Sequence, residues 1–153
     1  MSSFILLWNP RKFVWDDFEE WRDAVTKYPP QTLTWSMAGR KRGVDEGDLV
    51  YLFRVGDQRG IVGFGQIVRH DSGEILEWDE HWDEDQVITT PYIAADFFVL
   101  VDGHERLTQD ELEAHVPDVK WQYLQSSGVK VPDTVEAELI ELWNRHVERL
   151  NGD

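Results

Sequence analysis

Gly47-Asp48-Leu49-Val50-Tyr51-Leu52, followed after a polar break by Gly60-Ile61-Val62-Gly63-Phe64-Gly65, is the stretch on which the reading of the fold turns. Residues 49–55 and 60–69 are strand-length runs, and Gly56-Asp57-Gln58-Arg59 between them has turn composition, so the pair reads as a β-hairpin. Glycine recurs at 60, 63 and 65, in an arm that otherwise wants side chains. That spacing predicts bulges or a tight bend, as in a small curled barrel.

Upstream of the hairpin, residues 4–9 read as a buried strand that Pro10 stops. Asp16 and Asp17 then open a helix carrying Phe18, Trp21 and Val25 at helical spacing, and Tyr28-Pro29-Pro30 ends it. Residues 32–37 form a second strand, and 39–47 a loop that is first basic and then acidic. Downstream, residues 70–86 are polar and acidic around Trp78 and Trp82, a long loop or a frayed hairpin, and 87–101 return to strand composition. Thr108-Gln109-Asp110-Glu111 is a capping box that opens a short helix with Leu112 inside. Asp133-Thr134-Val135-Glu136, after Pro132, starts a terminal helix with one apolar stripe through Val135, Leu139, Leu142, Trp143, Val147 and Leu150. No repeat or linker interrupts residues 1–153, which predicts one α+β domain. Its expected architecture is a curled, mostly antiparallel β-barrel with flanking helices.

The composition narrows the class. At 153 residues and 41% hydrophobic content, with 11 Gly and 6 Pro, the chain is large enough for a genuine core and too apolar for disorder. No apolar run reaches membrane-span length, and residues 4–8 lack the charged start of a signal peptide. The absence of cysteine removes disulfides and thiolate metal sites and fits a reducing cytoplasm, the expected location. The net charge of −15 argues against wide phosphate contact, but it is unevenly spread. Residues 1–70 hold 10 Lys and Arg against 9 Asp and Glu, whereas residues 71–153 hold 5 against 21. A face built from the first half can therefore be locally basic while the second half keeps the protein soluble.

Candidate site residues cluster in that first half. Trp8 and Trp35 sit at strand ends, and Ser36-Met37-Ala38-Gly39 leads from Trp35 into Arg40-Lys41-Arg42. Indoles beside small residues and cations suit a flat ring stacked in a pocket with its phosphate chain held outside. Arg40, Lys41 and Arg42 are the candidate phosphate contacts, and Arg11 and Lys12 extend the same rim. A solvated cationic loop, and core packing for either tryptophan, are the alternatives. Trp78-Asp79-Glu80-His81-Trp82-Asp83 has three readings. It is an acidic solvated loop with its indoles packed inward, a pocket lip, or a metal site lacking a second His at ligand spacing. As a lip, Trp82 supplies a second wall and Asp79 or Asp83 accepts a hydrogen bond from an exocyclic amine. Trp15, Trp21 and Trp143 read as core, Trp121 as either core or site border, and His104, His115 and His146 as surface or capping residues.

The ordered series Trp8-Asn9-Pro10, a helix, Trp35-Ser36, Gly47 to Leu52, Gly60 to Gly65, Trp121, Ser127-Gly128, Val131-Pro132 and Trp143 resembles the PUA-like superfamily. Within it, the series is most similar to the EVE domain, a relative of YTH domains and of EVE-like domains attached to modification-dependent HNH endonucleases. The resemblance spans nearly the whole chain. It implies a non-catalytic module that holds a flipped, modified base in an aromatic cage: a modified cytosine in DNA in the endonuclease-linked members, N6-methyladenine in RNA in YTH domains. By that resemblance Trp35 is a cage wall, Ser36 a polar contact, and Trp8 and Asn9 the pocket residues of the first strand. A base out of its stack needs a flat apolar partner, and edge hydrogen bonds then choose among bases.

The expected base-binding set is thus Trp8, Asn9, Trp35, Ser36, Trp82 and Asp83, with no catalytic residue, metal or cofactor. The expected partner is nucleic acid carrying a modified base, DNA before RNA, without a membrane. Residues 1–153 hold no His-Asn-His cluster, so any cleavage is expected from a separate nuclease subunit. The rival readings are an RNA reader, a protein-interaction module using exposed tryptophans, and a hydrolase or nuclease. For the last, Ser36 shows no His/Asp relay in the sequence.

Overall fold

Eight strands and three helices build the chain across residues 1–152, which a computed structural model describes. In order they are β1 (Ser3–Trp8), α1 (Phe18–Lys27), β2 (Gln31–Ser36), β3 (Leu49–Arg54), β4 (Gly60–Val68), β5 (Glu77–Asp83), β6 (Gln86–Leu100), β7 (Leu107–Thr108), α2 (Gln109–His115), β8 (Val129–Lys130) and α3 (Glu136–Gly152). All strands join one mixed sheet in the order β2-β6-β4-β3-β1-β8, with β5 continuing along β6 and β7 along β4. Among the described residues only β1 and β3 run parallel.

The fold is α+β as the sequence predicts, but the barrel is not closed. Among the described residues no backbone ladder joins β2 to β8. The sheet nevertheless curls far enough for a side chain of β2 to reach β1. Trp35 Nε1–H on β2 donates to the Leu7 carbonyl on β1 at 3.0 Å, although three strands separate β2 from β1 along the sheet.

The bends sit where the glycines suggested. The β3–β4 register slips at Leu52/Phe53, and the β4–β6 register slips at Phe64/Gly65. A Cβ at Gly65 would lie 2.6 Å from the Asp96 carbonyl oxygen, so only glycine lets β6 approach there. Gly47-Asp48 forms the entry to β3. The buried Asp48 carboxylate accepts the Ser2 amide (2.9 Å) and the Asp45 amide (2.8 Å), closing the loop onto the N-terminus.

Strand alternation makes two cores. Phe4, Leu6, Val50 and Leu52 point to one face with α1's Val25, while Ile5, Tyr51 and Phe53 point to the other with Leu112, Leu139 and Trp143 from α2 and α3. The central strands are therefore covered on both sides, which is why they read as continuous apolar runs. Each fully buried Leu, Ile or Phe contributes roughly 1.5–3 kcal/mol over its exposed state. Trp121 is fully buried, stacked on Phe53 at 5.6 Å, with Nε1–H donating to the Val116 carbonyl. Tyr51 is also fully buried and its hydroxyl has no partner among the described residues; that burial, with the charge of Glu136, pushes its phenol above the ordinary range.

Three local readings sharpen or change. Of the surface and capping readings for His146 the structure favours the second: the ring is buried, its Nε2 2.6 Å from the Glu105 carbonyl that ends a 3-10 turn. Asp133 opens a 3-10 turn instead of capping α3, whereas Thr108 caps α2 as expected, its hydroxyl accepting the Glu111 amide at 3.3 Å. Residues 77–92 are a regular hairpin arm, and its tryptophans face solvent instead of packing inward: Trp78 is 48% and Trp82 73% exposed.

Candidate nucleotide-binding cleft

After β1, Pro10 ends the strand and the chain folds back on itself. The Asn9 carbonyl accepts the amides of Lys12 and Phe13, and Asn9 Oδ1 accepts the amide of Arg11. This turn brings Phe13 and Trp15 above the end of β2. Trp35 lies 5.8 Å from Phe13, edge to face, and 5.5 Å from Trp15 at a 50° tilt. The three rings line an open cleft of about 1150 Å³, large enough for a nucleotide.

Trp8 has a different place in that cleft. Its ring is 6% exposed, stacked on Phe18 at 5.3 Å and approached by the Arg54 guanidinium at 5.3 Å. Its Nε1–H donates to the Phe13 carbonyl at 2.9 Å. Trp8 is therefore a floor that positions Phe13 and Trp15. Trp35 is half-buried, and its N–H is spent on Leu7, which fixes the plane of the indole.

The polar lining comes from both ends of the sheet. Asn9 and Ser36 line the cleft, as expected from the sequence. Ser36 Oγ accepts the Ala38 amide at 3.0 Å, an arrangement that leaves its O–H free to donate. Thr34, Tyr92 and the segment around Ser126 and Ser127 complete the wall. Ser127 Oγ accepts the Leu7 amide, tying that segment to β1. Gly128, which follows it, has φ +85° and passes so close to Met37 that a Cβ would lie 2.6 Å from the Met37 carbonyl oxygen.

The five candidate cations separate. Lys12 is exposed and lines the cleft; Arg11 is exposed beside it. Arg40 is structural: its Nε donates to the Gly128 carbonyl at 2.6 Å, and its guanidinium lies 5.1 Å over Phe4. Lys41 and Arg42 are exposed but do not line the cleft. Arg59, which the sequence reading left in a turn, does line it, held by the Gln109 side chain and the Trp121 carbonyl.

Trp82 and Asp83 are not in the cleft lining. Tyr92, at the base of the arm, is a lining residue, but its ladder partner is Glu77. Trp82 is five positions further on, about 17 Å along the strand at 3.4 Å per residue. Among the described residues, no group of three or more His, Asp or Glu is placed to hold a metal ion, and no helix is long and apolar enough to cross a membrane.

Phe13 and Trp15 are the site residues that the sequence reading missed. Trp15 reads as core in the sequence and is buried, but it precedes α1 and also lines the cleft. Spacing relative to Pro10 was the available signal, since a chain turned back after β1 must lay residues 11–15 over the strand it has just left. Comparison of the chain with protein-family models, with curated proteins and with solved structures gives no match to any of them.

Proposed function

We propose that the protein is a non-catalytic reader of a modified nucleotide, most favourably a modified cytosine in DNA, built on a PUA-like, nearly closed barrel. The observation that carries this reading is the aromatic cleft between the β1 turn and the end of β2. Phe13 and Trp35 offer accessible ring surface to one space, backed by the buried Trp15 and Trp8 that pack against them. A flipped base gains roughly 1–3 kcal/mol from each ring on which it stacks. Asn9, Thr34 and Ser36 supply edge contacts, Lys12 and Arg59 supply the positive rim for a phosphate, and the exposed Arg11 lies next to Lys12 in the chain. Stacking by itself accepts any base, so the polar edge groups carry the choice of modification. Any cleavage would belong to a separate nuclease subunit, and an RNA target is a variant of the same proposal.

The test is a titration followed by tryptophan fluorescence. Matched oligonucleotides carry cytosine, 5-methylcytosine, 5-hydroxymethylcytosine, adenine or N6-methyladenine, each as DNA and as RNA. Quenching selective for one modified base is expected. Phe13→Ala should weaken it roughly 5- to 150-fold, the range that one lost stack corresponds to. Phe13 is 48% exposed, so its loss spares the core. Equal affinity for modified and unmodified strands, or affinity unchanged in Phe13→Ala, would remove the proposal.

A further inference from the structure

The arm made by β5 and residues 86–90 of β6 carries no buried side chain. Every residue of β5 is exposed. Ladder pairing puts Trp78 opposite Pro91 and Trp82 opposite Val87, all on one face, with Glu80 and Thr89 between them. Alternation along β6 makes this the face that carries Ile93, Ala95 and Phe97 into the core. The inner surface of the sheet therefore runs out onto the arm uncovered, ending in Trp78, Trp82 and the 51%-exposed Val87. A two-stranded ribbon is marginal in water without a third strand or a packing partner. The outer edge of β5 pairs with no strand among the described residues.

We infer that this arm is a docking surface for a Lys- and Arg-rich extended segment of another protein, added as a third strand along β5. The charge selects the occupant. Eight carboxylates lie between 71 and 85, and no Lys or Arg occurs between Arg69 and Arg106. Asp79, Glu80, Asp83, Glu84 and Asp85 have no ion-pair partner among the described residues. Such a field repels a nucleic-acid backbone and a second copy of the same arm, and attracts cations. Two exposed indoles on one face then add cation–π contacts for Lys or Arg side chains, while backbone pairing along the free edge sets the register. Solvated carboxylates alone would guard an edge strand against aggregation. They do not account for two tryptophans displayed between them.

The experiment uses the full chain and a fluorescein-labelled peptide of alternating Lys and Thr, with a Glu–Thr peptide as the charge control. Anisotropy is read at about 10 mM and about 150 mM salt, where the Debye length falls from about 30 to about 8 Å. The Lys–Thr peptide is expected to bind. Its affinity should fall at least about tenfold, about 1.4 kcal/mol, in Trp78→Ser/Trp82→Ser. It should change less than about twofold in Glu138→Gln/Glu141→Gln/Glu148→Gln on the exposed side of α3. An absence of binding at low salt, or equal loss in the two variants, overturns the inference, because diffuse attraction to an acidic protein would explain the second result. A sedimentation dimer that Trp82→Ser dissolves also overturns it, assigning the face to a second copy. Both indoles are exposed, so the melting temperature of the double variant should match the parent chain and keep these outcomes readable.

Discussion

Glu136, at the start of α3, accepts a hydrogen bond from the Ser3 hydroxyl at 3.3 Å. Partial burial, and the nearby Asp133 to which it hydrogen-bonds, raise its carboxyl above the usual range. Asp133 goes the other way: the hydrogen bond from Glu136 and the adjacent Lys130 lower it. A carboxyl whose folded pKa is raised favours the folded state in acid, and that contribution is lost as pH rises through the raised value. Glu136→Gln keeps a donor for Asp133 and removes the ionising group. The variant should therefore melt roughly 1–2 °C above the parent chain at neutral pH, a small effect because the group is largely solvated. The gap should close toward pH 4. A gap independent of pH would show that Glu136 is not the titrating group. At this scale the sequence placed Trp8 and Trp35 at strand ends, and both line the cleft. It could not tell a wall from a floor, since Trp8 and Trp35 have the same local pattern and differ only in what packs on their faces.

His70 anchors the arm, and this is a property of an element. Its ring is buried, with Nδ1 2.7 Å from Glu77 Oε1 and Nε2 2.9 Å from the Tyr92 carbonyl. Glu77 and Tyr92 are themselves the first ladder pair of the arm, so one ring holds both strands where they leave the body. His70→Ala strips the Tyr92 carbonyl of a buried partner, a cost of about 1–3 kcal/mol. Amides of 77–92 should then exchange with solvent at least about tenfold faster, while those of β3 keep their protection. Equal exchange in the two chains would mean that the arm holds itself. The helices and the β3–β4 hairpin were legible because their periods run for several residues. β7 and β8 were not, being two residues long and too short to carry a period. The first strand of the arm stayed open between a loop and a frayed hairpin because a polar strand with every residue exposed lacks the alternation that marks a half-buried one.

Across the whole molecule, 30 acidic side chains oppose 15 basic ones. The uncompensated charge repels itself more in the compact state than in the unfolded chain. Raising salt from about 10 to about 150 mM shortens the Debye length from about 30 to about 8 Å, so the melting temperature should rise by a few degrees. A fall would mean that the ion pairs joining distant parts of the chain, such as Arg22 with Asp102 at 2.8 Å, outweigh the repulsion. The same salt change should weaken oligonucleotide binding if Lys12 and its neighbours meet a phosphate.

The sequence by itself determined the strands of the central sheet, the helices, the bends at the β4 glycines, and the division between a balanced first half and an acidic second half. Each of these is local, set by side-chain period, turn chemistry or simple charge. Only the tertiary structure decided which rings share a cleft, which of five cations is free to meet a ligand, and that the sheet curls without closing. Those depend on chain segments as far as 120 positions apart, as Leu7 and Ser127 are, meeting in one place. No period in the sequence reports a contact of that range, because it is fixed by the packing of elements and not by the order of residues within one.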